Sequence, residues 1–144
     1  QQVSSAASDV YKRQVLFQII GAIFGCLAAN IIFGLPVITI STHVRHDLSQ
    51  FLSEILATFG LVLVIFLARE VARQNIPILV GSYIASAYWF SSSTSFANPA
   101  VTIARQFSDT FTGISPSGIP SFVLAQIFGA ILGYIVVQWL FRDM

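Results

Sequence analysis

The sequence predicts an all-α membrane protein, a helical bundle with an inverted internal repeat, of which the chain carries four transmembrane helices and one re-entrant half-helix. Three observations predict it. Of the 144 residues, 56% are hydrophobic and only 9% are charged, against about 25% charged in a soluble domain. The charges fall in clumps, so that residues 14–44, 74–104 and 110–141 contain no Asp, Glu, Lys or Arg. Uncharged apolar stretches of about 20 residues mark helices that cross a bilayer. Third, a nine-residue string recurs 108 positions later, at Phe17–Gly25 and Ala125–Gly133. This composition argues against a soluble enzyme. A formal net charge of +1 argues against a nucleic-acid binder, and the single Cys26 excludes an intrachain disulfide framework.

Residues 1–14 are set aside as a non-native or disordered leader. They are polar, lack a helical period, and have neither the apolar core nor the cleavage site of a signal peptide. Their Ser-Ser-Ala-Ala-Ser-Asp-Val-Tyr-Lys-Arg-Gln string resembles translated sequencing-adapter read-through. From residue 15 onward the chain reads as one partial channel-like domain with spans over 15–33, 49–68, 76–90 and 119–141. The first span stops before Gly34-Leu35-Pro36, the second carries the single charge Glu54, and the last two open on Pro77 and Pro120. Proline suits the first helical turn, where its missing N–H leaves no bond unmade. Between the third and fourth spans, Ser91–Ser95 is too polar for lipid, and residues 98–107 make a helix only about 15 Å long, half the hydrocarbon thickness.

The recurring string shares six of nine positions, among them Gln18/Gln126, Gly21/Gly129 and Gly25/Gly133. Glycines four apart allow close helix approach, and the shared Gln makes a true duplication the stronger explanation. Both Gln residues then read as inter-helix struts or as plain packing polarity. With three spans from one copy to the next, the two strings cross in opposite directions, the arrangement of inverted-repeat transporters and channels.

The mechanism is carried by Ser95-Phe96-Ala97-Asn98-Pro99-Ala100-Val101. Asn98 suits a helix N-cap and Pro99 the first helical position. Extended backbone ahead of it is tolerated at membrane depth only where it lines a wet cavity or is buried in protein. If the Asn98 side-chain oxygen caps the Val101 N–H, its NH₂ is left to donate to a passing solute oxygen, and the carbonyls of Thr94, Ser95 and Phe96 supply acceptors. The positive end of the half-helix dipole disfavours cations.

This segment resembles the second Asn-Pro-Ala loop of the aquaporin (major intrinsic protein) family, and the resemblance covers residues 15–144. It implies six helices and two half-helices around a pore, with the first Asn-Pro-Ala motif lying upstream of residue 1, so that the chain represents the third helix and the second repeat. It also implies that Glu54 hydrogen-bonds the pore loop; from spacing alone, a carboxylate snorkelling to the interface is the alternative. The resemblance sets the selectivity filter at Ser86, Ser95 and Val101, with a fourth position upstream. Water-selective members typically carry His and Arg where this chain has Ser86 and Val101. A wider, less polar filter favours glycerol-like polyols or neutral metalloid hydroxides such as arsenite, as in the bacterial branch associated with arsenic resistance. Arg105 either stands at the outer vestibule or pairs with Asp109.

Other features read as structural. His43 and His46 belong to a solvated loop, not a metal pair, and no metal site or cofactor is expected. Cys26 reads as a buried small hydrophobe, and Tyr88, Trp89 and Trp139 fit an interfacial aromatic belt. The small stripe Gly81, Ser82, Ala85, Ser86 serves close packing or pore lining. The expected function is passive conduction of small neutral solutes across a bacterial inner membrane, with no catalytic residue. The expected partners are the lipid bilayer and the solute, with a homotetramer implied by the family. A non-conducting membrane scaffold is the alternative. An intramembrane hydrolase using Ser91–Ser93 with either His lacks an acidic orienter.

Overall fold

Long uncharged stretches free of interior proline leave helix as the only way to bond every backbone group inside a bilayer. The computed structural model describes the backbone of residues 2–142 and side chains from residue 8. Five α-helices run in order: α1 Gln2–Ile32, α2 Leu48–Val71, α3 Ile76–Phe90, α4 Pro99–Ala104 and α5 Ile119–Leu140. Short 3₁₀ turns at Arg73–Asn75, Arg105–Phe107 and Pro116–Gly118 lead into α3, follow α4 and precede α5. No strand occurs among the described residues.

Three stretches are long and apolar enough to cross a membrane: Ser8–Ile32, Leu48–Val71 and Pro116–Leu140. The chain is a multi-pass membrane protein. The third expected span, 76–90, is matched by α3 and is shorter than the others. α3 has 15 residues, about 22 Å at 1.5 Å per residue, because Arg73 and the turn before Pro77 start it late and the serine run ends it early. The half-helix expected over 98–107 is six residues of α4 followed by the 3₁₀ turn that ends at Phe107. The leader differs from expectation, since α1 runs unbroken from Gln2. No proline interrupts it before Pro36, and Lys12 meets Asp9 one turn away at 3.6 Å.

The chain divides into two compact units, Gln1–His43 with Ala100–Pro116 and Val44–Pro99 with Ser117–Met144. The first unit is held by hydrogen bonds between the segment after α1 and the segment after α4. Asn30, 3% exposed in the last turns of α1, donates its amide to the carbonyls of Val37 and Phe107 at 3.1 and 3.0 Å. Backbone bonds from Thr39 to Phe107, Ser41 to Gln106 and Ser115 to His43 extend this join. Asp109 closes it by accepting from the Thr42 N–H at 2.8 Å and from the Thr42 and Ser41 hydroxyls.

In the second unit α5 lies against α2 through its glycines. A Cβ at Gly129 would sit 2.9 Å from the Thr58 Cβ, and one at Gly133 would sit 2.9 Å from Val62. Ala57, Phe122 and Ala125 are fully buried there, and Phe66 meets Tyr134 edge-on at 6.0 Å. α3 joins α2 through the Tyr83 hydroxyl, which donates to the Ala57 carbonyl at 2.8 Å.

The two copies of the repeated string therefore differ. Gly129 and Gly133 pack, whereas a Cβ at Gly21 or Gly25 would meet nothing within 4 Å, and Gln18 is exposed. Among the described residues, neither glycine of the first triplet brings another helix into van der Waals contact. Gly129→Ala is expected to destabilise the chain by about 1–3 kcal/mol through overpacking, and Gly21→Ala to be neutral or slightly stabilising, as read by denaturant unfolding in detergent micelles.

The Thr42 N–H holds the Asp109 carboxyl below its usual range, helped by the two hydroxyls and by His43. A depressed folded value stabilises above the ordinary carboxylate pKa and loses that contribution as pH falls through the folded value. Amide-exchange protection of residues 39–43 is expected to fall below about pH 4, and Asp109→Asn to abolish that dependence.

Candidate pore loop

α3 ends where the apolar run gives way to five hydroxyl residues, and Ser91 turns extended after its N–H bonds the Ala87 carbonyl at 3.0 Å. The serines stitch the loop to itself and to α2. Ser92 donates its hydroxyl to the Ser49 carbonyl, the Ser93 N–H reaches the Ser53 hydroxyl at 3.4 Å, and the Ser95 N–H reaches the Ser93 hydroxyl at 3.2 Å. Thr94, Ser95 and Ala97 lie in the left-handed region at φ of 60°, 48° and 46°. For residues with a Cβ this costs roughly 1–2 kcal/mol apiece, so the loop keeps this shape only because other groups hold it.

Glu54 is the principal holder. It is 0% exposed, projects from α2, and accepts the Phe96 N–H at 3.3 Å and the Ala97 N–H at 2.5 Å. The Gln126 amide from α5 donates to the same carboxylate at 2.8 Å. Three donors thus replace the water that a carboxylate of this burial has lost. The snorkelling alternative does not describe this side chain. Phe96 anchors the loop from the other side, its ring 5.3 Å from that of Phe122.

What the loop leaves open is as defined as what it binds. The carbonyls of Thr94, Ser95 and Phe96 accept no hydrogen bond among the described residues. The hydroxyls of Thr94 and Ser95 are buried and have no partner. Native interiors rarely leave so many polar groups unpaired in so few residues unless a polar molecule visits them. Immediately beyond, Asn98 and Pro99 are exposed while Ala100 is buried.

The remaining site residues fall as follows. Ser86 is exposed and spends its hydroxyl on the Ser82 carbonyl at 2.8 Å, and Gly81, Ser82 and Ala85 share that open stretch of α3. Val101, Ala104 and Arg105 line a cavity of about 220 Å³ with Ala22, Gly25 and Cys26 of α1. Asp109 is taken by Thr42, Ser41 and, at 3.9 Å, His43, in place of the pairing considered for Arg105. Asn30 and Arg45 were not singled out by sequence. An isolated Asn at the end of an apolar span was the available signal for the first.

A protein of Rhizobium meliloti (strain 1021) named aquaglyceroporin AqpS is 46% identical over 128 residues, which are 89% of this chain and 55% of that relative. The chain belongs to the aquaporin family. It spans about half the length of the curated relative it matches. No protein-family profile and no solved structure matches it.

In this aquaporin chain the Glu54–loop contact is accessible to direct test. Glu54→Gln leaves one acceptor oxygen for the two backbone N–H groups and an amide facing Gln126. It is expected to destabilise the chain by about 1–3 kcal/mol and to speed amide exchange at Phe96 and Ala97 selectively, as measured by hydrogen–deuterium exchange.

Proposed function

We propose that this chain supplies the second half of a membrane channel for small uncharged hydroxylated solutes: water, glycerol-like polyols and neutral metalloid hydroxides such as arsenite. The observation that carries the reading is the loop 91–97, held from behind by Glu54 and presenting three unaccepted carbonyls and two unpartnered hydroxyls just ahead of the exposed Asn98. A solute with hydroxyl groups both donates to such carbonyls and accepts from the Asn98 amide, so it exchanges water for protein partners at little enthalpic cost. The name of the Rhizobium relative supports the same solute class. Conduction in this reading is passive and uses no cofactor or catalytic residue.

The other half of the pore wall belongs, in this reading, to a preceding repeat with its own Asn-Pro-Ala half-helix. Within the second unit a cavity of about 260 Å³ is lined by Thr58, Val62, Ala97, Pro99, Gln126 and Ala130. Ala130 stands in the repeat where Ala22 stands in α1, and Ala22 lines the cavity beside α4 in the first unit. In this reading the second cavity receives the other half-helix. A homotetramer in a bacterial inner membrane is the corresponding assembly.

The positions that the family pattern sets at the filter carry Ser86, Ser95 and Val101, which are small and uncharged. In proteoliposomes of the full-length protein containing this chain, stopped-flow light scattering is expected to show glycerol permeability well above protein-free vesicles. Val101→Arg is expected to lower glycerol permeability at least about tenfold, a barrier increase of about 1.4 kcal/mol, while water permeability persists. Vesicles no more permeable than lipid alone to any neutral solute would overturn the channel reading and leave a membrane scaffold.

A further inference from the structure

Two charged side chains are buried among the described residues, Glu54 at 0% and Arg45 at 5% exposure. The carboxylate holds the pore loop from α2. Arg45 reaches the same loop from the connection ahead of α2. Its Nη1 donates to the Ser93 carbonyl at 3.1 Å, and its guanidinium carbon lies 5.5 Å from the centre of the Phe96 ring. Taking a guanidinium out of water is strongly unfavourable unless carbonyls and ring faces replace the water, as they do here.

The contact has a consequence for the carbonyl row. Ser93 O is committed to Arg45, whereas the next three carbonyls accept nothing among the described residues. A row of bare carbonyls is how cation filters are built. A pore meant for neutral solutes that exposes such a row needs a fixed positive charge beside it. Position 101 carries valine, and the six residues of α4 make only a short dipole.

We propose that Arg45 is a positioning and specificity-determining residue of the pore loop. Its guanidinium fixes the start of the carbonyl row at Thr94 and supplies the buried positive charge that keeps cations off that row. The proposal rests on the pore reading of loop 91–97. Buried charge is weakly screened by salt, so its influence reaches past its direct contacts.

The test uses the full-length protein containing this chain in proteoliposomes, with glycerol permeability and K⁺ leak measured on the same vesicles. Arg45→Met is expected to raise the K⁺ leak about tenfold, the change that a unit charge roughly 10 Å away makes at an effective dielectric of about 20. Arg45→Lys keeps the charge but not the planar fork, so it is expected to exclude K⁺ like the wild type while losing glycerol permeability several-fold. A methionine variant with no added leak overturns the proposal, as does a lysine variant that leaks like it. If the methionine variant fails to assemble, the lysine variant decides: reduced glycerol permeability at unchanged leak supports the proposal, and any other result overturns it. Wild-type vesicles without glycerol permeability strike the pore reading itself, a separate failure read before any variant.

Discussion

A bilayer offers no water to backbone groups, and the bonds of one carboxylate answer that constraint in this protein. The segment after α3 leaves the helical ladder, so its N–H groups need acceptors from elsewhere. Glu54 provides two of them, to Phe96 and Ala97, and Gln126 from α5 completes its own shell. The three left-handed residues, the buried Phe96 ring and the exposed Asn98 all follow from where those two N–H groups are pinned. The close approach of α5 to α2 at Gly129 and Gly133 is what brings Gln126 within reach.

The division of labour along the loop follows from donor and acceptor chemistry. Donors of the segment are consumed by the protein: by Glu54, by the Ser93 hydroxyl at Ser95, and by the Ser91 carbonyl at Thr94. Acceptors at 94–96 are left over. A peptide strand whose N–H groups are all bonded within the protein and whose C=O groups are not is one-sided in its chemistry, rich in lone pairs and poor in protons. Such a surface suits molecules that bring their own hydroxyl hydrogens, which is why the unpaired carbonyls weigh more in the functional reading than the filter side chains.

Much of this was legible in the sequence because the bilayer makes composition and spacing decisive. The charge-free stretches located α3 and α5 within a residue, the Asn98-Pro99 pair located the start of α4, and the lone Glu54 in an apolar span marked a side chain that must be satisfied internally. What was not legible depended on which partner is present. The string at Gln18, Gly21 and Gly25 reads the same as its copy in α5, but among the described residues its glycines bring no other helix into van der Waals contact. The helical course of the leader reflects local continuation that hydropathy does not encode. The bonds of Asn30 to Phe107, 77 residues away, and of Arg45 to Ser93, 48 away, join segments whose pairing has no sequence period.

The shell around Glu54 also sets a timetable for biosynthesis. Its donors are drawn from positions 42, 43 and 72 residues further along the chain. At roughly 5–20 residues per second, a ribosome needs roughly 4–14 seconds after making this carboxylate before the glutamine that finishes its shell exists. Until then the carboxylate in α2 lacks its donors, and an ionised side chain at mid-helix costs about 2.5–3.5 kcal/mol in lipid. The last helix to be made thus completes the costliest side chain of the second.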